Sequence, residues 1–291
     1  MDIDLARSFL EIVRTGSFIA AAERLHVTQT TVTARIRNLE AQLGCRLFVR
    51  NRSGARLTPD GERFVSHASQ LVRTWEAARR ELPLPGGTRS LLTLGGEMSL
   101  WNPLLLSWLA EIKRQQPLIA VRVEVGERHS LHEKLQQGVL DVALVHQPDY
   151  WVGMNVEQLL EEKLIMVRSS KAQEPYVYVD WGEHFCRQHD AAYPELARAA
   201  LSVDLGPLAL QYLLQHGGRG YFRTRVVQPY LDEGLVELVQ SAPEFSYPIY
   251  VVSSKDNRTD NLERALTTLK AILATPGFWH ETGKGVPLNI Y

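Results

Sequence analysis

A chain of 291 residues is longer than one compact core usually absorbs, and its 45% hydrophobic and 22% charged content excludes a disordered or collagen-like protein. The formal charge of −1 conceals an asymmetry: residues 1–90 hold 14 Arg, no Lys and 9 acids, a balance of +5, whereas residues 91–291 balance to −6. A basic N-terminal part followed by an acidic remainder points to two or three domains, one of which meets nucleic acid.

The opening Met1-Asp2-Ile3-Asp4 lacks the basic stretch and apolar run of a secretory signal, and no segment has the apolar length of a membrane span, so a cytoplasmic chain with no membrane partner is expected. Its two cysteines, Cys45 and Cys186, are far apart and are expected to be reduced. Leu5, Phe9, Ile12 and Val13 fall at helical spacing before Gly16. Ser17 then caps a short helix whose stripe is Phe18, Ala21, Ala22 and Leu25. After the turn His26-Val27, Thr28 caps a third helix, predicted over Thr28–Leu43, with Val32, Ile36, Leu39 and Leu43 inward and Gly44 as its stop. Opposite that stripe lie Thr30, Ala34 and Arg37, with Thr33 and Asn38 on the shoulders. Short, hydrogen-bonding or basic side chains suit base edges and phosphates, where an ordinary solvated helix favours Glu and Lys.

Residues 46–50 and 55–57 read as two short strands around Asn51-Arg52-Ser53-Gly54, a wing bearing Arg46, Arg50, Arg52 and Arg56. Thr58-Pro59 opens a long helix in which Phe64, Ala68, Leu71, Trp75, Ala78 and Leu82 alternate steps of four and three, the spacing of a dimerising seam. Pro83-Leu84-Pro85-Gly86-Gly87 breaks it into a linker.

Phe9, Ala21-Ala22, Leu25, Thr28-Gln29, Val32, Ile36, Leu39-Glu40, Leu43-Gly44, Leu47-Phe48, Arg50, Leu57-Thr58 and Gly61 together resemble the LysR-type transcriptional regulators across the whole DNA-binding region. Gly138-Val139-Leu140-Asp141 extends the likeness beyond the linker, and Thr74-Trp75-x-Ala77-Ala78-Arg79-x-Glu81, Ser99-Leu100-Trp101, Trp108 and Trp181-Gly182-x-x-Phe185 are similar to the HdfR-like subgroup. The resemblance implies an α/β architecture. An N-terminal all-α winged helix-turn-helix (1–58) leads through a dimerising linker helix and hinge (59–90) to a two-lobed, periplasmic-binding-protein-like effector domain (91–291). Lobe I is expected at 91–165 and 248–291, lobe II at 166–247. It also implies a homodimer or homotetramer that binds double-stranded DNA at a pseudo-palindromic promoter site, answers to a small-molecule effector, and has RNA polymerase as a possible partner. The expected DNA contacts are Thr28, Gln29, Thr30, Thr31, Thr33, Ala34, Arg35, Arg37, Asn38, Arg50 and Arg52. Thr30, Thr31 and Ala34 stand where the family commonly has proline or serine, alanine and arginine, so the base preference is expected to differ; Arg37 suits a base or a phosphate.

In the remainder, Leu91–Leu94 reads as a strand, Gly95-Gly96 as a turn and Ser99 as the cap of a helix carrying Leu100, Leu104, Trp108 and Ile112. Strands at 120–125 and 141–145 alternate with a helix at 130–137, predicting a parallel sheet with right-handed crossovers. Residues 163–169 read as a crossing strand, 200–204 as another strand, Gly206-Pro207 as a helix start, and 247–253 as the return to the first lobe before a final helix. Ligands in such sheets sit beyond the carboxyl ends of strands, so the cleft candidates are Met98, Ser99, Leu100, His146, Gln147, Gly206, Leu208 and Tyr221. Gly206-Pro207 offers backbone rather than hydroxyl donors, which argues for a more apolar ligand than an anion.

His184, Cys186 and His189 could group around zinc or copper, but no second pair completes a four-ligand site, and neither metal nor cofactor is expected. A two-lobed enzyme or solute-binding protein without a DNA role is the alternative. The chain has no Gly-x-Ser-x-Gly elbow or phosphate loop, and Gly217-Gly218-x-Gly220 lacks the spacing of a dinucleotide site, so no enzymatic activity is expected.

Overall fold

The computed structural model describes residues 2–275 apart from 52–53, 151–152, 172–173, 197 and 256–258; for Arg50, Asn51, Arg80 and Glu81 it describes the backbone alone. The first helix, α1 (Ile3–Thr15), starts at an Asp2 cap and stops at Gly16, whose φ of 65° is left-handed. Helices α2 (Phe18–Arg24) and α3 (Gln29–Leu43) begin at Ser17 and Thr28, each hydroxyl accepting a first-turn N–H, as their sequence predicts. Val32, Ile36 and Leu39 of α3 are fully enclosed, but Leu43, expected on the same stripe, is exposed because the helix has by then run past its neighbours.

Strands β1 (Phe48–Asn51) and β2 (Gly54–Leu57) form the antiparallel wing. Glu40 ties the wing to α3 by accepting from the Leu47 and Phe48 amides at 2.8 and 3.3 Å. Helix α4 (Pro59–Glu81) packs its first turns on this domain, with Gly61 so close that a Cβ there would lie 2.2 Å from the Leu47 carbonyl oxygen. Phe9 is the centre of this core, 5.2 Å from the Phe48 ring and 5.1 Å from that of Phe64.

The remaining chain forms two mixed sheets with separate cores. The first has the order β4-β3-β5-β13-β6, built from β3 (Ser90–Glu97), β4 (Ile119–Gly126), β5 (Val142–Val145), β6 (Met154–Leu160) and β13 (Ile249–Ser254). Helices α5 (Leu106–Gln115), α6 (Arg128–Gln136) and α10 (Asp260–Ala274) cover it. The second sheet contains β7 (Lys163–Ser169), β8 (Tyr176–Val179), β9 (Leu201–Val203), β10 (Arg219–Arg223), β11 (Val236–Leu238) and the short β12 (Phe245–Ser246). Helices α7 (Glu183–Ala192), α8 (Gly206–His216) and α9 (Thr224–Asp232) complete this lobe.

Three expectations need correction. The parallel pattern holds for β4-β3-β5 and for β10-β8-β9, but β13, β6, β7, β11 and β12 join by antiparallel pairing, so each sheet is mixed. Gly95 and Gly96 are not a turn: they continue β3, where a Cβ would come within 2.7 Å of Leu140 and 2.9 Å of Leu105, so glycine permits the close approach of core side chains. Finally, β7 does not cross between lobes but lies wholly in the second sheet, and the crossings fall in the short connections after Leu160 and after Ser246.

The two crossing segments are tied to each other. The Tyr247 amide donates to the Glu162 carbonyl at 2.7 Å. Arg223 is enclosed between the lobes, pairing with Glu162 at 2.7 Å and donating to the Ser99 carbonyl. The DNA-binding part also touches lobe I: Arg14 and Arg24 both pair with Glu133 of α6, and Gly138 packs against Arg73 of α4.

Candidate functional site

Helix α3 presents Thr28, Gln29, Thr30, Ala34, Arg37 and Asn38 to solvent, while Thr31 and Thr33 are half-buried at its edges. The Thr28 hydroxyl accepts from the Thr31 amide at 3.2 Å and lies 2.8 Å from the Thr30 hydroxyl, so the N-terminal turn is held rigid beneath its exposed side chains. Arg35 departs from expectation. Its guanidinium is turned to α1, bonding Asp4 at 2.7 Å and Ser8 at 3.3 Å, and serves the domain's internal packing rather than the exposed face. On the wing, Arg46 is 84% exposed and Arg56 is exposed; the Arg50 side chain and all of Arg52 lie outside the described residues.

The expected seam on α4 divides. Ala68 is fully buried and Phe64 packs beside it in the chain's own first core, so these two are not available to a partner. Leu71, Trp75, Ala78 and Leu82 keep the heptad steps and remain in solvent, with Trp75 48% and Leu82 73% exposed.

Between the lobes lies a cleft of about 520 Å³. Of the sequence candidates, Met98, Ser99, His146, Gln147 and Gly206 line it. Three do not. Leu100 is buried in the lobe I core and Leu208 points to solvent. Tyr221 is enclosed in the lobe II core, where its hydroxyl donates to the Pro243 carbonyl at 2.9 Å. Nor does Ser99 cap a long helix, because it sits inside a single 3-10 turn (98–100) before an irregular stretch that delays α5 to Leu106. Its hydroxyl instead meets His146 Nε2 at 3.1 Å.

Sequence reasoning missed Glu97, Glu127, Arg128, Asp180, Trp181, Asp204 and Tyr247, all of which line the cleft. Glu97 ends β3, Glu127-Arg128 follow β4, Asp180-Trp181 follow β8 and Asp204 follows β9. The rule that ligands sit beyond carboxyl strand ends would have found them once β8 was recognised and the rule applied to every strand. Burial pushes the Glu97 carboxyl up to about 7, against the opposing effects of the His146 amide, Arg128 and Arg223. Burial likewise holds His146 well below the usual histidine range, assisted by the charge of Arg223. Tyr247 stacks on His146 at 3.8 Å, and its hydroxyl is pushed up by burial.

His184, Cys186 and His189, the side chains weighed as a possible metal group, point to separate partners. His189 is buried with Nε2 2.7 Å from the Tyr176 hydroxyl, His184 is exposed, and Cys186 bonds Asp190. Among the described residues no group of three metal-ligating side chains forms.

A family model described as the bacterial regulatory helix-turn-helix protein, lysR family, matches residues 3–62, and one described as the LysR substrate binding domain matches residues 85–273. The chain belongs to the LysR family. It is a DNA-binding transcriptional regulator with an effector-binding domain, and the family is one of regulators, not enzymes. LysR regulators bind DNA and small-molecule effectors and are oligomeric. The chain is 28% identical over 282 residues to the HTH-type transcriptional regulator HdfR of Yersinia pestis (strain Pestoides F), covering 91% of this chain and 95% of that one. Its fold is similar to DarR of Vibrio fischeri, solved in complex with DNA (TM-score 0.55, 19% identity, 93% of this chain and 98% of that chain). It is also similar to ArgP from Mycobacterium tuberculosis (TM-score 0.53, 22% identity, 94% and 98%).

Proposed function

We propose that this LysR-type regulator acts in the cytoplasm as a homodimer or a pair of dimers, lays α3 in the major groove of each half of a pseudo-palindromic promoter site, and changes its grip when a small molecule enters the interlobe cleft. The observation that carries the reading is the solvent face of α3. Thr28, Gln29, Thr30, Ala34, Arg37 and Asn38 are exposed together with no carboxylate among them, beside the exposed Arg46 and Arg56. Thr30 and Gln29 can hydrogen-bond base edges, the Ala34 methyl can meet a thymine methyl, and the arginines can hold phosphates or a guanine. Leu71, Trp75, Ala78 and Leu82 would pair α4 with its copy, setting two recognition helices at the half-site spacing. Ligand in the cleft would close the lobes about the crossings near Glu162 and Tyr247, and RNA polymerase would read the resulting change in the bound promoter.

Ala34→Asp tests the docking. A carboxylate on this exposed position leaves the domain folded and places negative charge against the groove, so operator binding in a gel shift is expected to disappear. A variant that binds like the parent removes Ala34 from the interface.

A further inference from the structure

The interlobe cleft brings one base and four acids to its walls: Arg128 against Glu97, Glu127, Asp180 and Asp204. That base is partly engaged within the protein, since Arg128 turns its Nη1 to Asp149 at 3.2 Å and to the Gln147 carbonyl. The neutral groups add to this bias. His146 is neutral and buried, and its Nδ1 lies 3.1 Å from the Pro248 carbonyl, an oxygen that can only accept. Nδ1 therefore carries the proton, and Nε2 is left as a lone pair that takes the Ser99 hydroxyl proton across 3.1 Å. With its proton spent on the histidine, Ser99 can offer the cleft only oxygen lone pairs. At the opposite wall Pro207 in the first turn of α8 removes one of the amide donors with which a helix start would hold an anion. The indole of Trp181 meets the Tyr247 ring at 5.5 Å, giving the cavity an aromatic side.

We propose that the cleft selects a cationic effector, an amine borne on a small apolar or aromatic body, in place of an organic anion. This rests on the cleft being the effector site. An ammonium group supplies the hydrogen-bond donors that Ser99 and Asp204 lack and favours the ionised form of Glu97, and its carbon frame can lie against Trp181, where the ring face attracts positive charge. A carboxylate ligand would meet the carboxylates of Glu127, Asp180 and Asp204 and the Ser99 lone pairs, with Arg128, already paired to Asp149, as the one cation among the described lining residues. The more apolar ligand suggested by Gly206-Pro207 alone thus gives way to one that is apolar in body and positive at one end.

The test uses the full-length protein titrated with phenethylamine and putrescine, and in parallel with phenylpropionate and succinate, following tryptophan fluorescence and thermal unfolding. The amines are expected to bind and to raise the unfolding temperature, with Asp204→Asn and Glu97→Gln each weakening them about tenfold. Asp204 is exposed, so its variant keeps the test informative if Glu97→Gln perturbs folding. Binding by the carboxylates and not the amines overturns the cationic class while leaving the effector cleft standing. Amines that bind both variants as tightly as the parent sit elsewhere, which also overturns it. Silence from both series, persisting across a broad metabolite library, removes the effector reading together with the class.

Discussion

Replacing Trp75 by alanine should separate the protomers without unfolding them. Within one chain this indole leaves 48% of its surface in water, midway along the exposed stripe from Leu71 to Leu82. For a side chain of about 250 Å² that is about 120 Å² of mostly apolar surface, or about 3 kcal/mol at about 25 cal/mol per Å². A two-fold axis makes the contact twice, so the substitution removes up to about 6 kcal/mol, about four decades in dimer Kd. Sedimentation velocity across a concentration series reads the shift directly. Far-UV circular dichroism should show α4 intact, because Phe64, Ala68 and Val72 still anchor its first half in the first domain. A Trp75→Ala protein that dimerises within about tenfold of the parent would refute the assignment of this stripe to the dimer.

Arg223→Ala should cost about 3–5 kcal/mol in urea unfolding, since it strands the fully buried Glu162 carboxylate and frees the Ser99 carbonyl between the lobes; an unchanged midpoint would remove this pair from the account. Glu97 sets a pH dependence. Its carboxyl is raised from 4.5 to about 7, so the buried neutral form stabilises the fold fully below about 4.5, and that contribution is lost as pH rises through 7. The groups facing it, Arg128, Arg223, His146 and Tyr247, do not remove the effect. Unliganded protein should lose on the order of 2–3 kcal/mol of stability between about pH 5 and 8 relative to Glu97→Gln, measured by denaturation at each pH; parallel curves would place the carboxylate in water. Operator affinity should fall steeply with salt, and Arg56→Ala should lower the slope of log K against log salt by about one; an unaltered slope would take Arg56 off the phosphates.

The elements governed by local chemistry were legible. Ser17, Thr28 and Thr58 cap their helices, Gly44 ends α3, and the apolar phase of α3 fixed which face is left to solvent. Tertiary packing hid the rest. A heptad spacing does not say whether Ala68 meets its own domain or a partner, and here the first core takes it while Trp75, two turns on, escapes. Gly95-Gly96 carries the signature of a turn but answers to the leucines pressed against β3. Strands β8 and β10 are runs of four and five residues buried on most positions, without the alternation that marks a strand, so the ends that deliver Asp180 and Trp181 went unrecognised. The cleft's acidic character follows the same cause. Glu97, Asp180 and Asp204 are scattered in sequence, and only the two-lobed topology brings them to one cavity.

The central claim, that α3 reads a promoter, is tested most directly by chromatin immunoprecipitation of the full-length protein with sequencing of the bound DNA. The account predicts discrete promoter-proximal peaks sharing a two-fold-related sequence, and their loss in Ala34→Asp. Uniform coverage of the chromosome, or peaks that survive Ala34→Asp unchanged, would contradict it.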